Sequence, residues 1–342
     1  SSPATRTLEK ITDEIIETHQ PEVPTATPIP TEANIPLNEF PIEITIENAR
    51  NLSLVATLQG HSDRVLSLAV DNEGRLLSGG NDNYIFIWSG SPDEAPETLT
   101  TMQKGVCDLQ VSSQNILLAY AYNHQAHLWD LNTMDMVSDL DFAEDGYNGA
   151  FSLDGNIFVT EGRGNSIVFW NLDSLEQITQ FEEPNGGGFA LQFSPDGSLF
   201  ASSGHNGTVT IWDYQSGEVV RSLTYRDGDM HDLAFSPDGR LIAAGSSNSV
   251  VVVWNLETGE LVHTLQHNDG LFSIAFSPDG SLLASAGADR TVRVWDVESG
   301  RKLKTLGHHD EVNAVVFSKD GSTIYSGGYD NVIYVWKVEE DL

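Results

Sequence analysis

Apolar and polar residues alternate with a period of two along most of this chain, and turn residues break the alternation at regular intervals. Residues 271–296, LFSIAFSPDGSLLASAGADRTVRVWD, set out the unit. One alternating segment ends at Phe276 and a turn follows at Pro278-Asp279-Gly280. A second short segment ends at Ser285, a tight turn carries Asp289, and a third segment runs from Thr291 to Trp295. Residues 302–306 supply a fourth. Such alternation, bounded by Asp-Gly, predicts strands joined by hairpins. Further Asp-Gly turns stand at Asp154-Gly155, Asp196-Gly197, Asp238-Gly239 and Asp320-Gly321. The unit is repeated. All seven tryptophans, Trp88, Trp129, Trp170, Trp212, Trp254, Trp295 and Trp336, fall on one ladder with spacings of 41, 41, 42, 42, 41 and 41 residues. A fixed period of about 40 residues is the length of one four-stranded blade.

The text around each tryptophan resembles the WD-repeat family over Thr45 to Leu342. Trp-Asp or Trp-Asn occurs at Trp129-Asp130, Trp170-Asn171, Trp212-Asp213, Trp254-Asn255 and Trp295-Asp296, whereas blade 1 has Trp88-Ser89 and blade 7 has Trp336-Lys337. The resemblance implies an all-β, seven-bladed β-propeller of four-stranded antiparallel blades over residues 45–342. Only six residues follow Trp336, so the last blade lacks its fourth strand, and Leu52 to Leu58 can supply it. Closure of the ring in this way is implied by the resemblance, and it removes an exposed sheet edge.

Charge narrows the range of partners. The formal net charge is −33. Residues 1–44 account for −6, which leaves −27 on the remainder. An acidic body repels phosphate, which argues against nucleic acid and against anionic membranes. No apolar run approaches the roughly 20 residues of a membrane span. The single cysteine, Cys107, excludes an intrachain disulfide and a zinc thiolate cluster.

Three blades carry a set that invites a hydrolase reading: His61, Ser78, Asp82 and Trp88; His267, Ser285, Asp289 and Trp295; His308, Ser326, Asp330 and Trp336. Threefold recurrence at fixed offsets from tryptophan argues against catalysis. The family resemblance implies structural tetrads, hydrogen-bonded chains inside each blade. No G-x-S-x-G elbow accompanies them. Blades 2 to 5 depart from the set. Blade 2 has Met102, Ala119 and Asn123, blade 3 has Phe142, Thr160 and Gly164, blade 4 has Pro184, Ser202 and Asn206, and blade 5 has Arg226, Ala244 and Asn248. A buried tryptophan removes roughly 150–250 Å² from water, about 4–6 kcal/mol gross, so a missing tetrad need not prevent folding.

Other signals are bland. His308-His309-Asp310 is a tetrad histidine with two loop residues, and Gly186-Gly187-Gly188 lacks the strand and helix of a phosphate loop. No metal and no cofactor is expected.

By resemblance, the residue five positions after the tetrad histidine lies at the mouth of the central channel. Round the ring this position reads Leu66, Cys107, Tyr147, Phe189, His231, Phe272 and Asn313. The position before the tetrad aspartate reads Asn81, Tyr122, Arg163, His205, Ser247, Ala288 and Tyr329. Candidate partner-binding residues are Tyr147, Phe189, His231, Phe272, Tyr122, Arg163, His205 and Tyr329, because aromatics and arginine dominate interface hot spots. An acidic rim of Asp145, Glu183, Asp227, Asp229, Asp269 and Glu311 is expected around them. Two readings stand side by side: the mouth accepts a basic or aromatic side chain, or the aromatics plug the channel. The expected function is a non-catalytic, monomeric scaffold for a protein or peptide. The rival is a carbohydrate or small-molecule module on the same face.

Residues 20–41, QPEVPTATPIPTEANIPLNEFP, hold six prolines and predict an extended arm. Residues 7–17 can form one short helix with Leu8, Ile11 and Ile15 on a face. The expected division is an arm over 1–44 and a propeller over 45–342. Thr/Pro-rich spacers of this kind look like those of bacterial surface-anchored proteins. The expected location is therefore extracellular or periplasmic, with the cytoplasm as the alternative.

Overall fold

Seven four-stranded antiparallel sheets follow one another along the chain, each with its strands in sequence order except the last. The computed structural model describes residues 41–89, 94–141, 148–162, 165–184, 186, 190–226 and 228–339. Pro41 to Leu342 form one compact unit. Blade 1 consists of strands Val65–Val70, Leu76–Gly80, Tyr84–Trp88 and Glu97–Thr101, and blade 2 begins at Val106–Val111. The innermost strands of blades 3 to 7 are Gly149–Phe151, Leu191–Phe193, Met230–Phe235, Leu271–Phe276 and Val312–Phe317. In blade 7 the outer strand is Leu52–Gln59, paired antiparallel to Val332–Val338 with Leu52 opposite Val338 and Gln59 opposite Val332. The N-terminal strand therefore closes the ring. Ile44, 1% exposed, joins the same core and donates its amide to the Gly321 carbonyl at 2.9 Å.

Local chemistry explains the blades. The first hairpin of each needs a left-handed residue. Glycine supplies it in six blades and Asn115 in blade 2, all with φ between 64° and 83°. That asparagine is why blade 2 lacks the Asp-Gly signal. In five blades the serine two residues before the turn aspartate donates to its carboxylate at 2.5–2.6 Å. These bonds run between residues two apart and hold the turn without help from the neighbouring blade.

Blades pack face on face. Val209, Ile211 and Leu223 of blade 4 share one cluster with Leu233, Ile242 and Val252 of blade 5. Val251 and Val253 of blade 5 share another with Ile274, Leu283 and Trp295 of blade 6. The apolar alternation read from the sequence is thus buried between neighbouring sheets, at about 25 cal/mol per Å².

Two kinds of β-bulge recur. In every outer strand one extra residue sits near the blade's tryptophan: Val55, Leu99, Val137, Ile178, Val220, Val262 and Leu303. All seven are apolar, and five of them are 41–53% exposed. In the innermost strands of blades 1, 2, 5, 6 and 7 the extra residue is Leu66, Cys107, His231, Phe272 and Asn313. Among the described residues no helix is long and apolar enough to cross a membrane.

Candidate functional site

The Ser, His and Asp sets lie together inside their blades, and in blades 1 and 6 hydrogen bonds link them from tryptophan to aspartate. In blade 1 the Trp88 indole N–H donates to Ser78 Oγ at 2.8 Å, and Ser78 Oγ lies 2.7 Å from His61 Nε2. His61 Nδ1 lies 2.9 Å from Asp82 Oδ1. Blade 6 repeats this at 2.8, 2.7 and 3.0 Å through Trp295, Ser285, His267 and Asp289. Blade 7 repeats it at 2.7 and 2.8 Å through Trp336, Ser326 and His308, with Asp330 at 3.5 Å. Because serine accepts from the indole, its hydroxyl proton points to the imidazole Nε2, and the Nδ1 proton points to the carboxylate. All three serines are 0% exposed, so no substrate carbonyl can reach them. Burial holds the His61 and His267 rings below the ordinary histidine value, against the pull of Asp82 and Asp289. Burial alone would raise Asp289, but bonds from His267, Thr291 and the Asn268 amide outweigh it and hold the carboxyl far below the usual range. Gly80 leaves room for this chain, since a Cβ there would strike His61 and Asp82.

The inner bulges aim side chains into the channel. Leu66, Cys107, His231, Phe272 and Asn313 all line a cavity of about 380 Å³. His231 and Phe272 meet edge to face, with ring centroids 6.2 Å apart. His205, half exposed, hydrogen-bonds Asp229 at 2.7 Å, and Ser247 Oγ accepts the Asp229 amide at 3.0 Å. Burial lowers the His231 value, with Asp229 opposing and His205 adding to the shift. His205, His231, Phe272 and Asp229 thus form one group on blades 4 to 6. Tyr329 stands apart, capped by the Arg64 guanidinium 3.9 Å from its ring centre. Tyr122 is 48% exposed beside Gly105 and near Asn81. Tyr147, Phe189 and Arg163 lie outside the described residues, as do Asp145 and Asp227.

Against known proteins, the family described as WD domain, G-beta repeat matches residues 52–89, 178–213, 217–255, 259–296 and 300–337, together more than half of the chain. The chain belongs to the WD-repeat family. No curated protein matches it. WD-repeat propellers typically serve as scaffolds for other proteins and not as catalysts. The family match skips residues 90–177, which hold blade 2 and most of blade 3. In this stretch the WD-repeat tetrad has eroded. Blade 3 keeps an acceptor, Thr160 Oγ1, for the Trp170 indole at 2.9 Å. Blade 2 has Ala119 there, and the buried Trp129 indole N–H has no hydrogen-bond partner among the described residues.

Glu183 corrects one expectation. Its loop position suggests the acidic rim, yet it is 5% exposed and points inward. It accepts the hydroxyls of Ser202 and Thr210, the latter at 2.7 Å, while Ser202 accepts the Trp212 indole at 2.9 Å. Blade 4 therefore replaces the WD-repeat histidine by a carboxylate. The signal was in the sequence: Ser202 and Thr210 are cross-strand partners, and two facing buried hydroxyls need a shared acceptor. Asp229, Asp269 and Glu311 remain for the rim. Cys107 also differs from an open mouth position, because its thiol bonds the Tyr120 carbonyl at 3.5 Å and burial pushes its ionisation well up. Asn313 donates to the Val65 carbonyl at 2.9 Å and joins blade 7 to blade 1. Among the described residues no three His, Cys, Asp or Glu side chains are placed to hold a metal.

Proposed function

We propose that this WD-repeat chain is a non-catalytic scaffold that holds a protein or peptide at the channel mouth of blades 4 to 6. The observation that carries the reading is the bulge-presented pair His231 and Phe272 at the cavity, flanked by the part-exposed carboxylate of Asp229. An aromatic face beside a carboxylate suits a basic or aromatic side chain, and a cation over such a ring gains about 0.5–2 kcal/mol. The overall charge of −33 favours a basic partner by steering. Burial of the three tetrad serines supports the non-catalytic part. The same reading takes the chain as a monomer acting outside the cytoplasm, which sedimentation and cell fractionation check.

The test is capture on an array of basic, acidic and aromatic peptides together with glycans. Basic or aromatic peptides should bind, and Phe272→Ala should weaken the dissociation constant by about 5–30-fold, the range of a moderate hot spot. Binding indifferent to Phe272→Ala removes the mouth from the proposal. Capture of glycans alone replaces the peptide by a sugar.

A further inference from the structure

Two carboxylates stand in the channel wall directly behind the mouth. Asp108 follows Cys107 in blade 2, and Asp232 follows His231 in blade 5. Each ties its blade to the next. Asp108 Oδ2 accepts the Gly149 amide of blade 3 at 3.2 Å, and Asp232 Oδ2 accepts the Ile274 amide of blade 6 at 2.7 Å. Elsewhere round the ring the same tie is made by a neutral group. Ser67 Oγ accepts the Leu109 amide at 3.1 Å, and Ser273 Oγ accepts the Val315 amide at 3.2 Å. A hydroxyl therefore suffices for the mechanical task, and the two aspartates add a charge that the task does not require.

That charge has little to balance it. The groups facing Asp108 are the Gln110 side-chain amide, the Leu109 and Gly149 backbone amides, the Cys107 thiol and the Tyr120 hydroxyl, and Glu161 adds a further carboxylate beside the last two. Those facing Asp232 are the Leu233 and Ile274 amides, the Ser273 hydroxyl and, across the channel wall, Asp108 itself. His231, next in sequence, senses Asp229 and His205 on its other side. Among the described residues no lysine, arginine or histidine forms an ion pair with either aspartate. Asp108 is buried and Asp232 half-buried, and a carboxylate held partly out of water without a cation is relieved by a proton.

We propose that Asp108 and Asp232 are proton-operated clasps, which tighten the contacts of blade 2 with blade 3 and of blade 5 with blade 6 as the solution turns mildly acidic. Burial pushes the Asp108 carboxyl up to about 6 and the Asp232 carboxyl up to about 7. Both folded values lie above the unfolded one. The penalty on the native state is therefore absent near pH 4, grows through pH 6 to 7, and is complete by about pH 8.

Asparagine mimics the protonated acid and keeps one oxygen for the neighbouring amide. The double variant Asp108→Asn, Asp232→Asn should melt about 2–4 °C above the unaltered chain at pH 8, and the gap should shrink below about 1 °C at pH 4. A gap of equal size and sign at both pH values overturns the proposal. A second measurement needs no variant. In the full chain labelled with carbon-13 at the aspartate carboxyl, two signals should titrate above about pH 5.5, apart from the rest. If every aspartate signal titrates below about pH 5, the clasps are ordinary carboxylates and the proposal fails.

Discussion

Blades 1, 6 and 7 and blades 2 to 5 share one tryptophan ladder but solve their interior polarity differently. The first group sets a histidine between serine and aspartate inside each blade. The second group uses whatever fits: an inward glutamate in blade 4, a threonine in blade 3, and no acceptor in blade 2. Both groups nevertheless form the same four-stranded sheet with the same outer-strand bulge. Burial of apolar faces between blades thus builds the ring, and the polar chain inside a blade adds rigidity to a sheet that already holds. The less constrained blades also carry the His205, Asp229, His231 and Phe272 group.

The sharpest test of this contrast is Asp289→Ala in blade 6. It removes the partner of His267 and also leaves Arg293, 7% exposed, without its carboxylate 2.9 Å away. A loss of about 3–5 kcal/mol is expected in chemical denaturation, the usual cost of breaking a buried ion pair. Glu183→Gln in blade 4 keeps an oxygen for one hydroxyl and should cost only about 1–2 kcal/mol. If the two losses are equal, the groups are not energetically distinct.

Acidification probes the same contrast from outside. The folded values of His61 and His267 lie below the ordinary 6.5, so their stabilisation is complete above that pH and is lost as pH falls through the folded values. Asp289 and Asp330 sit below the ordinary 3.8, and their contribution disappears on further acidification. Hydrogen exchange, corrected for its intrinsic pH dependence, should rise in Leu271–Gly307 between about pH 6.5 and 4. Over the same range it should fall or hold in Val106–Val111. Parallel change in both segments contradicts the division.

The smallest effect is a gain. Ala119→Ser gives the Trp129 indole an acceptor at the position serine holds in the tetrad blades. About 1 kcal/mol of added stability is expected, visible as a higher denaturation midpoint. No gain would mean that the indole N–H is satisfied already.

Much of the fold was legible in advance, because tryptophan spacing, Asp-Gly turns and alternation all report the same repeat. Ring closure, which the family resemblance implies through Leu52 to Leu58, is made by Leu52–Gln59. Less was legible at the site. Glu183 stands one residue before Pro184, which holds the tetrad-histidine position of blade 4, and a single step reverses inside and outside at a strand end. Asp108 and Asp232 look like any other strand aspartate, since only the ring shows that the innermost strands face a common channel. Cys107 shares a position with Phe272 but not its surroundings, which are set by the neighbouring blade. Sequence offsets find the rung, and the adjoining sheet decides what the rung touches.

The outer bulges carry one more consequence. An uninterrupted edge strand offers a stranger a row of amides and carbonyls to copy, and fibres grow from such copying. Here every rim strand breaks that row near its tryptophan, and five of the seven show an aliphatic side chain at the break. Two of these wheels meeting tread to tread would find grease but no track. Their encounters should stay brief and disordered, and the chain should tolerate crowding at high local density without templating its own aggregation.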